Sequence, residues 1–184
     1  MKDNRSHLEE IARESVQRNG LKALSFRTLA DQIGIKSSSV HYYFPEKSDL
    51  AKTLIEGYSE ELFISLRTIE AQKGSLKKKI SAFIAIFEVL AKNDQFCLCG
   101  MLAAEVEHLS ADNQVLLAKA FTDIERWLIQ TIETNRSELN TTLTPMQFAR
   151  SILSGIEGAL LIDRVMGNTR RIKVQKDLIL TQMR

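Results

Sequence analysis

Between residues 8 and 45 the chain is punctuated so closely that three short helices fit and little else does. Leu8, Ile11, Ala12 and Val16 fall on one stripe of a 3.6-residue period. Asn19-Gly20 ends the stripe, since both residues tolerate the left-handed backbone of a helix terminus. Ser25 is placed to cap a second helix with Leu29, Ala30 and Ile33 on its inner face, and Gly34 stops it. Ser37 is the expected cap of a third helix, complete at Phe44, because Pro45 disfavours helical backbone in the residue before it.

Three short helices with a glycine before the third outline a helix-turn-helix. On this reading Gly34 is needed because two helices meeting steeply leave little room for a side chain. The third helix must turn small or polar groups outward if its backbone is to enter the major groove. Ser37, Ser38, His41 and Tyr42 are the outward set, with Val40, Tyr43 and Phe44 anchoring the helix to its core. Serine hydroxyls suit phosphates or base edges, and His41 and Tyr42 can donate hydrogen bonds and stack. Lys47 stands where it can neutralise a phosphate near the start of the next helix. The competing reading is an ordinary helix on a protein surface.

The remainder reads as longer helices: 48–72, 76–92, 99–109, 113–135, 145–166 and one more in the tail. Ile80, Phe83, Ile84, Phe87, Leu90 and Ala91 give the second of these a wide apolar face. No alternating stretch is long enough for a strand. With 44% hydrophobic residues, eight Gly and only two Pro, a large helical core is expected. The fold class is therefore all-α, a helix-turn-helix domain over 1–47 followed by a helical domain over 48–184. A net charge of +2 with no basic tail means that any DNA binding comes from a few placed contacts. No phosphate-binding loop, dinucleotide fingerprint, nucleophile elbow or paired-histidine motif is present, so no enzyme and no cofactor are expected. No apolar run approaches the roughly 18 residues of a membrane span. The polar start Met1-Lys2-Asp3-Asn4-Arg5 is no signal core, which predicts a cytoplasmic protein.

Residues 26–50, FRTLADQIGIKSSSVHYYFPEKSDL, resemble the DNA-binding signature of the tetracycline-repressor (TetR) family. The likeness rests on Leu29-Ala30, Gly34-Ile35, Tyr43-Phe44-Pro45, Lys47 and Leu50 at fixed spacing. The family often has Gly-Thr-Leu-Tyr where this chain has Ser38-Ser39-Val40-His41. The resemblance implies a homodimeric repressor released from double-stranded, palindromic operator DNA by a small molecule. Carried onto this chain, the DNA-contacting set is Arg27, Thr28, Ser37, Ser38, Ser39, His41, Tyr42, Tyr43 and Lys47. A helical adaptor that binds no DNA is the alternative.

In residues 145–166 small side chains gather on one side, at Ser151, Gly155, Gly158 and Ala159 with Ile162. By the resemblance this is a dimer face in a four-helix bundle; close packing within one subunit is the other explanation. Phe63, Phe83, Phe87, Met101, Trp127 and Phe148 either line an apolar effector pocket or fill core, and Glu105 can orient a ligand there. The segment of Cys97 and Cys99 resembles a stretch seen in a subset of the family, which implies a place at the entry to a helix beside that pocket. A thiol at a helix start reacts readily with electrophiles and oxidants, so the effector is either apolar or electrophilic. Alternatively both cysteines are inert buried hydrophobes. Together with His108 they form no recognisable zinc spacing, and no metal is expected.

Overall fold

The computed structural model describes residues 4–184; residues 1–3, part of the polar start considered above, lie outside the described residues. The described chain is all-α. Its helices are α1 (Asn4–Asn19), α2 (Phe26–Ile33), α3 (Ser37–Tyr43), α4 (Lys47–Ala71), α5 (Leu76–Lys92), α6 (Leu98–Ala104), α7 (Ala111–Thr134), α8 (Pro145–Met166) and α9 (Arg170–Thr181). Single 3-10 turns follow α6 and α7, and the one extended pairing is an isolated bridge between Leu139 and Met183. No helix among the described residues is long and apolar enough to cross a membrane.

The bounds of α5 and α8 coincide with those read from periodicity. Elsewhere the local signals were incomplete. Ser25 does occupy the cap position of α2, but its side chain makes no cap bond. Ser37, expected as the cap of α3, is instead its first helical residue, and Lys36 caps it through extended backbone. The helix expected over 99–109 stops at Ala104, where Glu105 leaves helical geometry and a 3-10 turn follows.

The chain packs as two compact units, one of Met1–Glu60 with Cys97–Ala120 and the other of Glu61–Phe96 with Phe121–Arg184. This division follows packing, whereas a boundary at 47/48 follows the motif; α6 and the first part of α7 go with the N-terminal helices. In the first unit Leu8, Ala12 and Val16 of α1 are fully buried, as are Val40, Leu50 and Ala51. α1 packs on α2 and α6, and α2 on α3.

The second unit centres on Ile80, Phe83, Ile84, Leu128, Ile132, Ile152 and Ile156, all fully buried. Thr144 and Gln147 close a reciprocal capping box at the start of α8, with Pro145 in the first turn. α8 packs on α9 and both pack on α5. The α8–α9 corner is held by Asp163, only 2% exposed, whose carboxylate accepts the N–H groups of Arg171 and Ile172 at 3.1 and 3.0 Å. These are first-turn amides of α9 that have no partner within their own helix. Asp163→Ala leaves two such amides without their acceptor, and urea unfolding should show a loss of about 2–3 kcal/mol.

Candidate nucleic-acid interface

The turn between α2 and α3 is made by Gly34, whose backbone is left-handed at φ 72°. Ile35 N–H returns to the Ala30 carbonyl at 3.0 Å. A side chain at Gly34 would meet nothing within 4 Å. The steric reason expected from the sequence is thus wrong for this turn, and the requirement is conformational: an L-residue at this φ is strained.

α3 is seven residues long, and its inward residue Val40 is fully buried, followed by Phe44 just past its end. With those two buried, the opposite face is left to solvent. Tyr42 is 82% exposed, and Ser38 and His41 are exposed beside it. Ser37 and Ser39 are half-buried, and Tyr43 is no core anchor but half-buried with its ring edge-on to Tyr42 at 5.3 Å. His41 is steadied from two sides. Its ring meets Phe26 edge-on at 5.0 Å, and Nδ1 lies 3.3 Å from the Pro45 carbonyl. A carbonyl can only accept, so that contact needs the proton on Nδ1 and leaves Nε2 of the neutral ring as an acceptor.

Arg27 and Thr28, in the first turn of α2, are exposed. Lys47 is exposed as the first residue of α4, where a cation opposes the helix dipole, so helix stability does not account for it. Its Nζ reaches the Lys22 carbonyl at 3.4 Å. The same turn is gripped from α6. Glu105 Oε2 accepts the N–H of Leu21 at 2.7 Å and that of Lys22 at 3.1 Å. Expected to orient a ligand, Glu105 is engaged with backbone 84 residues earlier, and no sequence signal marks that pairing.

The other proposed effector residues are divided between the two units. Cys97, Met101 and Glu105 belong to the first unit; Phe63, Phe83, Phe87, Trp127 and Phe148 belong to the second. Phe83, Phe87 and Phe148 are buried core. The Trp127 ring lies against Phe83 at 5.6 Å, and its Nε1 is buried without a hydrogen-bond partner. Phe63 is half-buried. Cys97 and Cys99 are free thiols at 1% and 0% exposure, and Tyr58 Oη lies 3.7 Å from Cys97 Sγ. Neither sulfur meets solvent.

Of the small-residue stripe on α8, Ser151 and Ile162 are exposed and Gly158 is half-buried. Gly155 backs onto Gln175 of α9 in the same chain, and Ala159 is buried. The exposed apolar face is shifted from the stripe: Leu161, Ile162, Val165 and Met166 on α8, with Val174 and Leu178 on α9. Apolar spacing at 161, 162, 165 and 166 could have found it. Sequence reasoning also missed two cavities, one of about 280 Å³ between the end of α5 and the α8–α9 corner. The other, of about 250 Å³, lies beside Lys22, Lys47 and His108.

Residues 10–54 match the family described as bacterial regulatory proteins, tetR family. Among curated proteins, the HTH-type transcriptional repressor KstR2 of Mycobacterium tuberculosis is 31% identical over 87 residues, 47% of this chain and 44% of that repressor. The chain therefore aligns with less than half the length of that relative. Among solved structures, a TetR transcriptional regulator from Legionella pneumophila is 28% identical with a TM-score of 0.90, covering 100% of this chain and 99% of that one. A TetR-family transcriptional regulator from Agrobacterium tumefaciens is similar in fold, at 24% identity and a TM-score of 0.91, covering 98% of this chain and 97% of that one.

Gly20 and Gly34 both have left-handed backbone, but a side chain at Gly20 (φ 83°) would also collide with the Glu105 carboxylate. Gly34→Ala should cost about 1–2 kcal/mol through its backbone alone. Gly20→Ala should cost more than that, because the carboxylate must also withdraw from the turn. Urea unfolding of the two variants side by side measures the difference.

Proposed function

This chain belongs to the TetR family of bacterial regulatory proteins, and we propose that it is a cytoplasmic, homodimeric transcription repressor that a small molecule releases from its operator. The observation that carries the reading is the outer face of α3, where Tyr42, His41 and Ser38 stand clear of a helix anchored by Val40 and Phe44. A helix held in this way can enter a major groove about 12 Å wide and bring side chains to base edges. Ser37, Ser38, Ser39, His41, Tyr42 and Tyr43 are the reading and phosphate-contacting group. Arg27, Thr28 and Lys47 flank it as backbone contacts that set register.

A single recognition helix reads too few base pairs to select one operator. The exposed apolar face of α8 and α9, with Leu161, Ile162, Val165, Val174 and Leu178, supports dimerisation, since contiguous apolar surface of this kind marks an interface. Two copies joined there form a four-helix bundle. Ser151, Gly158 and Ile162 lie on its near side, while Gly155 and Ala159 support it from beneath. The two α3 helices then meet major grooves about one turn, roughly 34 Å, apart.

For the effector, the buried Trp127 Nε1 beside Phe83 supports an apolar molecule carrying one hydrogen-bond acceptor. Phe87, edge-on to Phe83 at 5.2 Å, belongs to the same apolar group, and Phe63 and Phe148 are the further lining candidates of that reading. Its binding shifts α4 and with it the spacing of the two α3 helices. A coupling of about 1–3 kcal/mol is enough for such control. Burial of both thiols weighs against electrophile sensing through Cys97 or Cys99.

Selection from random DNA by the purified protein tests the reading. Bound sequences should share a two-fold symmetric motif and weaken steeply with salt; a DNA-free adaptor would enrich nothing. On the selected duplex, Tyr42→Ala should weaken binding about tenfold, the loss of one good contact. Lys47→Ala should lower the slope of log affinity against log salt by about 1. Both variants should remain dimers by sedimentation, and native affinity in both would remove α3 from the interface.

A further inference from the structure

We propose that Glu105 is a positioning residue for the DNA-reading head, its carboxylate latching the α1–α2 turn so that α2 and α3 stay in the pose that meets DNA. The inference rests on the operator-binding reading above and adds the contact through which α6 governs it. Two observations converge on it. Glu105 Oε2 accepts both the Leu21 and the Lys22 N–H, at 2.7 and 3.1 Å. The preceding residue is a buried glycine whose missing side chain leaves the space that the carboxylate occupies.

The latch joins α6 to the reading head within the first unit. Glu105 sits immediately after α6, a helix of seven residues packed on α1. The turn it grips leads directly into α2, and its Lys22 carbonyl receives Nζ of Lys47, the lysine at the head of α4. One three-residue turn therefore ties α1, α2, α4 and α6 together. Hydrogen bonds to a carboxylate are short and directional, so a displacement of α6 by about 1 Å takes the Leu21 contact past bonding distance. Once released, the turn populates other poses. Operator affinity then falls in proportion to the fraction of molecules whose head is competent.

The test uses the full-length dimer and the selected operator duplex, comparing Glu105→Ala and Glu105→Gln with the unaltered protein. Glu105→Ala should weaken operator binding about tenfold, corresponding to a competent fraction near one tenth. Glu105→Gln, whose amide oxygen still accepts but carries no charge, should recover part of that loss. The stoichiometry, dimer mass and salt slope should stay unchanged, because no phosphate contact is removed; a merely structural role would lower the bindable fraction instead. Amide hydrogen exchange at Leu21 and Lys22 should accelerate in Glu105→Ala while the α5 and α8 amides stay protected. Operator affinity equal to that of the unaltered protein, or loss of fold in both variants, overturns the proposal. If the unaltered protein selects no DNA, the operator reading fails; exchange at Leu21 and Lys22 then decides the latch alone, and unchanged exchange overturns it.

Discussion

A helix of seven residues does not persist in water by itself, because the cost of its first turn is not recovered over so few hydrogen bonds. α3 exists because Val40 and Phe44 are fully buried where it packs on α2, with Arg5 of α1 over the Phe44 ring. That burial does two things together. It fixes the helix, and it decides which side chains remain outside, since residues a turn apart share a face and the intervening ones do not. The exposure of Tyr42, His41 and Ser38 follows from what lies beneath them. A polar residue at position 40 would release the helix as well as its outward face.

Once α3 is fixed, the polar groups around the α1–α2 turn have a common logic. Leu21 and Lys22 present N–H groups that no nearby residue satisfies, in a turn where Gly20 and Leu21 are buried. Backbone donors in such places need partners. Here the partner comes from Glu105, and the turn's own carbonyl turns toward Lys47. Asn113, 2% exposed, binds the start of α4 in a similar way, its Nδ2 donating to the Ser48 carbonyl at 2.8 Å. The head is thus joined to α6 and α7 by hydrogen bonds in addition to apolar contact. Such bonds are made or broken over short displacements, which suits elements that must respond to one another.

The second unit solves a different problem with the same means. Its core is aliphatic and aromatic, while its charged residues do their work at the edges. Glu70 takes Lys79 at 2.7 Å and Thr131 at 3.0 Å, and Lys176 meets Glu88 at 2.8 Å. The exposed Glu70–Lys79 pair contributes little by itself. The buried Asp163 matters more, since its carboxylate accepts the Arg171 and Ile172 amides that begin α9 and so ties the start of that helix to α8. The apolar faces of α8 and α9 that remain outside are the counterpart of the buried core.

Most of the secondary structure and the outline of the DNA-reading motif were legible in the amino-acid order, because they depend on local events. Periodicity placed α5 and α8, glycine and proline marked where helices stop, and the spacing of residues 26–50 carried the family likeness. What the order of residues left open is the pairing of single polar groups across long separations. Glu105 with Leu21 and Lys22, and Glu70 with Thr131, have no repeating pattern to betray them. A repeat shows how each helix faces; only the folded chain decides which donor meets which acceptor, because that choice depends on distances no local rule contains. For this protein the sequence by itself determined most of the helices, the ends of α5 and α8, and the outward turn of Ser38, His41 and Tyr42 on α3. The tertiary structure alone decided that a carboxylate after α6 would hold the turn before α2, since it brings an acceptor from 84 residues away to the Leu21 and Lys22 amides.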